Sequence, residues 1–327
     1  MPKQPSSPTR DTATANHPVL CPLNPVISTP AMLDLENQLT QWLWTGATGA
    51  VIAGASRSGK TTSFDEICSR LRARNGRSIP VLRMTMPLRD QKTVLSVYRQ
   101  LCWAAGLNIS GRHTADELAV RYLHLISDVM AEHGLEQALL VVDECQRLSP
   151  LQFNVFAELY DRLRSIQKTL MTVFVGNDPE TWRLIDGMDS DQYAHIHGRF
   201  FLHRRAFSGI QSAKEVSYCL AQYDALRYPE KSGRTYVEAF VPQAAAAGFR
   251  LASASNLFWR VFRGYQQRFK IGSWGMQSFS ITTNTLLSDF LPRYGVDELG
   301  EAMIDEAIRL SGLVPSLVTR PTIDKSR

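Results

Sequence analysis

The sequence predicts an α/β protein, with a parallel sheet flanked by helices and a helical lid at its C-terminal end. Short, mostly apolar runs, at residues 50–53, 79–84, 138–142 and 170–175, alternate with segments of helical periodicity. Strands that are apolar on both faces are typical of a parallel sheet covered by helices on each side. A mostly helical pattern then continues through residues 212–312, which predicts the separate lid.

The helices are predicted from their apolar periodicity and from their capping residues. Thr114 and Glu117 have the spacing of a capping box, and Asn75-Gly76 is typical of a helix end. The first predicted helix begins at residue 33. Further helices are predicted over residues 60–74, 93–105, 115–132, 149–167 and 297–311. A fifth strand is expected at the sheet edge over residues 200–202.

Composition limits the class of protein. The chain has 327 residues, 44% of them hydrophobic and 20% charged, and a net charge of +5, which excludes a wholly disordered or fibrous protein. No apolar run approaches the roughly 18 residues of a membrane span, and residues 1–18 lack the apolar core of a signal peptide. Since the five cysteines are scattered, we expect reduced thiols and a cytoplasmic protein. We further expect the cytosol to be prokaryotic and the protein to have no membrane partner.

The pattern also predicts how the chain is divided. We expect a flexible N-terminal arm at residues 1–30, which are rich in Pro, Ser and Thr. The α/β core is expected over residues 31–210 and the helical lid over residues 211–312. Residues 313–327 are expected to form a flexible tail.

A glycine-rich loop lies between the first predicted strand and the helix that follows it. Residues 54–61 read GASRSGKT, which fits the pattern GxxxxGK[ST]. The two glycines let backbone N–H groups face a phosphate, and the helix N-terminus adds partial positive charge. We expect Lys60 to bridge the β- and γ-phosphates of ATP and Thr61 to ligate Mg²⁺. The expected nucleotide contacts are Gly54, Ser56, Ser58, Gly59, Lys60, Thr61, Thr62 and Asp143.

Polar side chains end the next strands of the predicted sheet. Asp143-Glu144 follows the most apolar strand, and Asn177 follows the strand after it. Because ligands of parallel sheets bind at the carboxyl ends of strands, we expect Asp143 to help hold Mg²⁺ and Glu144 to activate the attacking water. Asn177 is expected to orient that water. The alternative interpretations are that the acidic pair is simply solvated and that residues 177–179 form a turn capping the next helix.

A basic cluster follows: His197, Arg199, His203, Arg204 and Arg205. An arginine here could reach a nucleotide bound by a neighbouring subunit and stabilise charge in the transition state. We choose Arg199 because it directly precedes the expected edge strand, with Arg204 and Arg205 as alternatives. The other interpretation is a solvated, charged face of the molecule.

These motifs together resemble AAA+ ATPases and, more narrowly, the TnsC/TniB family of DNA-transposition regulators, over about residues 35–210. The matching motifs are GASRSGKTT at 54–62, LLVVDECQRL at 139–148, TVFVGN at 172–177 and GRF at 198–200. The segments KTVLSVYRQLCWAAG at 92–106 and TADEL at 114–118 also resemble that family. The resemblance implies an AAA+ P-loop NTPase, that is, a Mg²⁺-dependent ATPase.

The resemblance further implies oligomerisation on duplex DNA as a ring or a filament when ATP is bound. Such a protein links a target-site selector to a transposase, and ATP hydrolysis drives its disassembly. Its DNA contacts would be non-specific phosphate contacts, for which the candidates are Arg83, Arg89, Lys92, Thr93, Arg99 and Arg112. Two alternatives stay open: another AAA+ ATPase, such as a helicase loader or initiator, and a STAND-like signalling switch that binds ATP without DNA.

Overall fold

The computed structural model describes residues 16–21, 26–89, 92–230 and 233–314. The chain divides into a sheet unit, Ala31–Ser56 with Lys60–Phe207, and a helical unit that holds the remaining residues, including Arg57–Gly59. The predicted flexible arm and tail fall partly on residues 1–15, 22–25 and 315–327, which lie outside the described residues.

The sheet unit contains five strands, all paired in parallel in the order β2-β3-β4-β1-β5. The predicted parallel sheet flanked by helices is therefore confirmed. The strands are β1 (Gly49–Gly54), β2 (Val81–Thr85), β3 (Gln137–Asp143), β4 (Thr169–Asn177) and β5 (Arg204–Phe207).

In the described part of this unit, one α-helix precedes the first strand and six more lie between successive strands. They are α1 (Pro30–Thr45), α2 (Lys60–Arg70), α3 (Val94–Ala104), α4 (Ala115–His133), α5 (Asn154–Ser165), α6 (Glu180–Asp186) and α7 (Ala194–Phe200). The capping box of Thr114 and Glu117 is confirmed at the start of α4. Helix α2 ends four residues before the predicted end, because Leu71 and Ala73 instead pair their backbone with Ile79 and Arg77.

The expectation of an edge strand at residues 200–202 is wrong. Phe200 ends α7, and Phe200 and Phe201 are buried against Phe174 of the central strand β4. These residues are apolar because they fill the core between helix and sheet. The true edge strand, β5, is more polar because an edge strand has one free side, and it pairs with β1 from Val51↔Arg204 to Gly54↔Phe207.

The two faces of the sheet are covered by different helices, as its alternating side chains require. Val51, Leu140 and Phe174 point into a core formed with α3, α4 and α5. Ile52 and Val141 point to the opposite core, formed with α1 and α2. Every residue of β1 is buried, which explains why this strand is apolar along its whole length.

The helical unit confirms the predicted helical C-terminal region. Its elements are α8 (Ala213–Ala225), the short ribbon β6 (Arg227–Tyr228) and β7 (Arg234–Thr235), α9 (Tyr236–Phe240), α10 (Pro242–Ala246), α11 (Ser255–Phe269), α12 (Met276–Thr285), α13 (Leu291–Tyr294) and α14 (Glu301–Leu310). Trp274 lies at its centre, stacked on Phe262 at 4.6 Å and edge-on to Phe279 at 5.2 Å between ring centroids. This aromatic cluster forms the middle of the unit's core.

Part of the predicted N-terminal arm packs on the helical unit. Val19 and Ile27 are buried in its core, and Gln222 exchanges hydrogen bonds of 3.0 Å and 2.6 Å with the backbone of Ser28. These described residues are thus ordered, because their apolar side chains find partners that composition alone does not reveal. None of the described helices is both long enough and apolar enough to cross a membrane.

Candidate nucleotide-binding site

The candidate site lies where three strands of the sheet unit end together. Gly54, the last residue of β1, is in register with Asn177, the last residue of β4. Asp143 ends the neighbouring strand β3, and its carbonyl accepts a hydrogen bond of 3.0 Å from the Met86 N–H. Because parallel strands share one carboxyl edge, the chain's candidate residues from three distant segments meet there.

The loop after β1 depends on its glycines. A Cβ atom on Gly54 would lie 2.0 Å from the Phe207 carbonyl oxygen, so only glycine permits β5 to pair at this position. Gly59 has a φ of +101°, which side chains rarely adopt. Ser58 is 1% exposed and its hydroxyl has no hydrogen-bond partner. A buried hydroxyl without a partner in the protein could donate a hydrogen bond to an oxygen of a bound phosphate.

Lys60, the first residue of α2, folds back toward this loop. Its ammonium group donates to the carbonyls of Gly54 and Ala55, both at 2.8 Å, and to Asn177 Oδ1 at 3.2 Å. Burial lowers the pKa of Lys60 below its usual value, and the nearby carboxylates, Asp143 first, oppose this effect. These three neutral acceptors hold the Lys60 ammonium at a position where it could bind the phosphates of a nucleoside triphosphate.

Asp143 and Thr61 form a pair of oxygen ligands suited to Mg²⁺. The Thr61 hydroxyl donates to Asp143 Oδ2 at 3.0 Å, and the Glu144 N–H donates to Asp143 Oδ1 at 2.8 Å. Magnesium is usually held by one or two protein oxygens together with phosphate oxygens and waters. The donor set therefore fits this ion.

Glu144 has a left-handed backbone, with φ 57° and ψ 37°, which turns the chain sharply after β3. Its Oε2 atom accepts hydrogen bonds from Gln146 Nε2 at 2.8 Å and from Arg147 Nη2 at 2.9 Å. Sequence reasoning missed both partners. The only available signal was their spacing, because the tight turn over Cys145–Arg147 brings residues two and three positions later back onto Glu144.

Gln146 also connects Glu144 to the end of β4. Its Oε1 atom accepts a hydrogen bond of 3.2 Å from the Asn177 N–H. A Cβ on Gly176 would lie 2.6 Å from that oxygen and 2.2 Å from Thr181 Oγ1, so glycine makes room for the contact. The Asn177 side chain makes no cap for α6, which begins at Glu180, and instead binds Lys60.

Arg199 does not lie with these residues in its own chain. It is on α7, where it forms an ion pair with Asp161 at 2.9 Å and lies over the Tyr160 ring. Its carbonyl accepts a hydrogen bond from Thr48, just before β1 and at the other end of that strand from the loop. The alternatives, Arg204 and Arg205, pair with Asp186 and Asp34 respectively.

The candidate DNA contacts divide into separate groups. Arg89 and Lys92 are exposed and line a common hollow with Met86, Pro87, Ser96, Arg147 and Gln152. Thr93 caps α3 by accepting a hydrogen bond from the Ser96 N–H at 3.2 Å.

The remaining candidates differ in their surroundings. Arg112 is exposed in the turn between α3 and α4. Arg99 donates to the Gly111 carbonyl at 2.8 Å, and Arg83 is paired with Asp65. Arg83 and Arg99 are thus already engaged within the chain.

A family model described as AAA domain matches residues 45–185, a segment that contains the loop, Asp143, Glu144 and Asn177. No curated protein matches the chain.

Several solved structures are similar at low sequence identity. The Aeropyrum pernix ORC2 protein in its ADP form has a TM-score of 0.47 and 14% identity, covering 84% of this chain and 66% of that one. CDC6P from Pyrobaculum aerophilum has a TM-score of 0.44 and 14% identity, covering 90% and 83% respectively. The Aeropyrum pernix ORC1 protein in complex with DNA has a TM-score of 0.40 and 15% identity, covering 91% and 80%. At these TM-scores, nothing about function follows from the likeness.

The residues matched by the family model contain strands β1 to β4 of the sheet. They form a parallel sheet, with the loop after β1 and the acidic pair after β3 at its carboxyl edge. The chain therefore has the fold of an AAA+ P-loop protein.

Proposed function

We propose that the chain is an ATPase whose nucleotide binds at the loop of residues 54–61. The contact of Lys60 with the loop carbonyls and Asn177 carries this proposal, because it places a cation where the β- and γ-phosphates would lie. Thr61 and Asp143 would hold Mg²⁺, which neutralises charge on the phosphate oxygens when it is bound.

In the proposed hydrolysis, Glu144 accepts a proton from a water molecule while the water oxygen attacks the γ-phosphorus. The bond from that phosphorus to the bridging oxygen of ADP breaks, and its electrons leave with ADP. Lys60 stabilises the negative charge that develops on the phosphate oxygens, and Asn177 orients the water. The products are ADP and inorganic phosphate.

The finer proposal is that this ATPase regulates DNA transposition. It would oligomerise on duplex DNA with ATP bound and connect a target selector to a transposase until hydrolysis disassembles it. The resemblance over residues 35–210 supports this role, and so does the hollow lined by Arg89, Lys92 and Arg147. Three cations around one hollow suit the phosphates of a nucleic-acid backbone.

Arg199 would act in the same assembly as a group supplied to a neighbouring subunit. Its position by the start of β1 separates it from the loop of its own chain, which lies after the end of that strand. An arginine that completes a neighbour's site makes hydrolysis depend on assembly.

A filter-binding assay on random-sequence duplex DNA tests the proposal. We expect the wild type to bind DNA in the presence of a non-hydrolysable ATP analogue and not in its absence. Lys60→Ala should not bind DNA more tightly when the analogue is added. Arg89→Ala and Lys92→Ala should each weaken binding and reduce the salt slope by about one. Arg164→Ala, which changes an exposed arginine on α5, is the matched control.

The outcomes separate the open alternatives. Absence of DNA binding under all nucleotide conditions would contradict the proposal and favour a signalling switch. Strong preference for one DNA sequence would favour an initiator. The transposition role itself is tested by deleting the gene and sequencing new insertion sites in the host genome. The number of new insertions should fall in the deletion strain. A gene copy that encodes the wild type should restore that number, and a copy that encodes Lys60→Ala should not.

A further inference from the structure

A cluster of arginines lies between α2 and β2, at the edge of the sheet opposite to the loop of residues 54–61. Its members are Arg70, Arg72, Arg74 and Arg77. The segment leads into β2, and the amino ends of parallel strands share one edge of a sheet. The length of β1, Gly49–Gly54, separates the two edges by about 17 Å. These arginines therefore lie away from the proposed nucleotide contacts.

The segment that carries the arginines is extended and has two different sides. Leu71 and Ala73 are buried, whereas Arg72 and Arg74, which alternate with them, are exposed. Arg72 forms an antiparallel bridge with Ser78. Because side chains two residues apart in an extended segment point to the same side, the buried residues face the core and the two arginines face solvent together.

A tight turn between Ala73 and Arg77 fixes the backbone of this segment. The Ala73 N–H donates to the Arg77 carbonyl at 2.8 Å, and the Gly76 N–H donates to the Ala73 carbonyl at 2.9 Å. Asn75 Oδ1 accepts a hydrogen bond of 3.0 Å from the Arg77 N–H. A ligand that binds here would not have to order the backbone first, which lowers the entropic cost of binding.

The positive charge of the segment is only partly neutralised. Arg70 is paired with Glu36 at 3.1 Å. In the part of the chain that the structure describes, Arg72 and Arg77 donate to neutral backbone carbonyls and Arg74 forms no ion pair. These last three residues, here called the arginine turn, keep their charge for an anionic partner.

Trp44 stands beside the arginine turn with its ring exposed. Its indole N–H donates to the Arg72 carbonyl at 2.9 Å, and the residue is 45% exposed. Surfaces that bind single-stranded nucleic acids combine cations for the phosphates with aromatic rings on which the bases stack. A duplex keeps its bases stacked inside, and an acidic protein segment has no bases. An exposed, fixed ring among arginines therefore favours a single strand over both.

We propose that Trp44 and the arginine turn form a binding surface for single-stranded nucleic acid. The inference goes beyond the proposed function, because this surface uses neither ATP nor the hollow that carries Arg89 and Lys92. The phosphates and bases that it would bind are common to single-stranded DNA and RNA.

Fluorescence anisotropy of the full chain with a labelled oligothymidylate tests the inference. The oligonucleotide has about 20 nucleotides, more than the usual site size of one such surface. We expect the wild type to bind it without nucleotide, and a non-hydrolysable ATP analogue to leave the affinity unchanged. A duplex of the same length should bind roughly tenfold more weakly without nucleotide, because it offers no free bases. An oligouridylate of equal length shows which nucleic acid the surface prefers, and binding of either strand supports the inference.

Two variants separate the roles of charge and stacking. Arg74→Ala removes one phosphate contact and should reduce the salt slope by about 0.7, the value for a single strand. Trp44→Leu should bind roughly five- to tenfold more weakly with an unchanged salt slope. An abasic oligonucleotide has the phosphates without the bases, so Trp44→Leu should bind it as tightly as the wild type does.

Matched controls come from other parts of the sheet unit. Trp103→Leu removes a tryptophan that is 48% exposed, and Arg164→Ala removes an exposed arginine on α5. Both should bind the single strand as the wild type does. Thermal unfolding of each variant verifies that it is folded.

Four results would overturn the inference. They are absence of single-strand binding by the folded wild type, an unchanged salt slope in Arg74→Ala, an equal loss of affinity in Trp103→Leu, and polyglutamate binding as tight as that of the oligonucleotide. The last result would assign the surface to an acidic protein segment. Failure of the wild type to bind duplex DNA with the ATP analogue would contradict the proposed function alone, because the single-strand assays need neither.

Discussion

Lys60 and Asn177 are joined by a hydrogen bond of 3.2 Å across the ends of β1 and β4, although 117 residues separate them in the chain. The contact joins the residue expected at the phosphates to the residue expected at the attacking water. It also means that a nucleotide would have to compete with Asn177 for the Lys60 ammonium. Binding would therefore leave the Asn177 amide without this partner and able to turn to the water.

Asn177→Ala should keep ATP binding and slow its hydrolysis by about one to two orders of magnitude, because the water loses an orienting partner. Titration calorimetry measures the binding, and phosphate release measures the rate. Asn154→Ala, at the start of α5 outside the site, is the control and should hydrolyse ATP normally. A normal rate in Asn177→Ala would remove this residue from the mechanism.

Glu144→Gln should bind ATP, hydrolyse it at least about a hundredfold more slowly and remain on DNA in an ATP-bound assembly. The glutamine amide has the same shape as the glutamate carboxylate, but it is not basic enough to accept the proton of the attacking water. Single-turnover hydrolysis and the DNA dissociation rate measure the two effects. Glu158→Gln changes a carboxylate that is also paired with an arginine, Arg162, and serves as the control. Turnover at the wild-type rate would contradict the assigned role of Glu144.

Arg199→Ala should reduce ATP hydrolysis, and mixing it with Lys60→Ala should restore part of the activity. The Lys60→Ala subunits bind no nucleotide but still carry Arg199, which they can supply to the intact site of a neighbour. Steady-state hydrolysis across mixing ratios measures the rescue. Arg204→Ala, treated in the same way, distinguishes the two arginines. Absence of rescue for Arg199→Ala would move the trans-acting group to another residue.

The burial of His17 predicts that the segment of residues 16–21 packs less stably on the rest of the helical unit at acidic pH. It is 1% exposed, with the rings of Tyr228, Tyr236 and Phe240 around it, and burial lowers the pKa of His17 to about 4. Because the undocked histidine takes up a proton near pH 6.5 and the docked one does not until about pH 4, docking stability is lost as pH falls between these values.

The expected loss of docking stability is about 2 kcal/mol between pH 7 and pH 5. Hydrogen exchange of residues 16–21, corrected for the intrinsic effect of pH, measures it, with the amides of α14 as an internal reference. His17→Phe removes the titrating group and should remove the dependence on pH. A dependence that persists in this variant would assign the effect to another group.

The juxtaposition of the candidate site residues could be predicted because each of them follows a strand or opens a helix. The loop at Gly54, the acidic pair at Asp143 and the amide at Asn177 each stand directly after an apolar run, and a parallel sheet brings such positions to one edge. The expected contacts of these side chains with nucleotide and DNA stay predictions.

Other features depend on packing that the local pattern does not contain. Phe200 and Phe201 look like a short strand, but they are apolar because they fill the core beside Phe174. Gln146 and Arg147 read as ordinary polar residues until the turn after β3 brings them onto Glu144. Val19 and Ile27 are two apolar residues in a polar segment, and only the helical unit's core shows why they are ordered.

Titration calorimetry of the wild type and Lys60→Ala with magnesium-ATP tests the central claim most directly. We predict saturable binding at one site per wild-type chain and no measurable binding to Lys60→Ala, with thermal unfolding showing that both are folded. Absence of heat with the folded wild type, or equal affinity in the two proteins, would contradict a nucleotide site at the loop of residues 54–61.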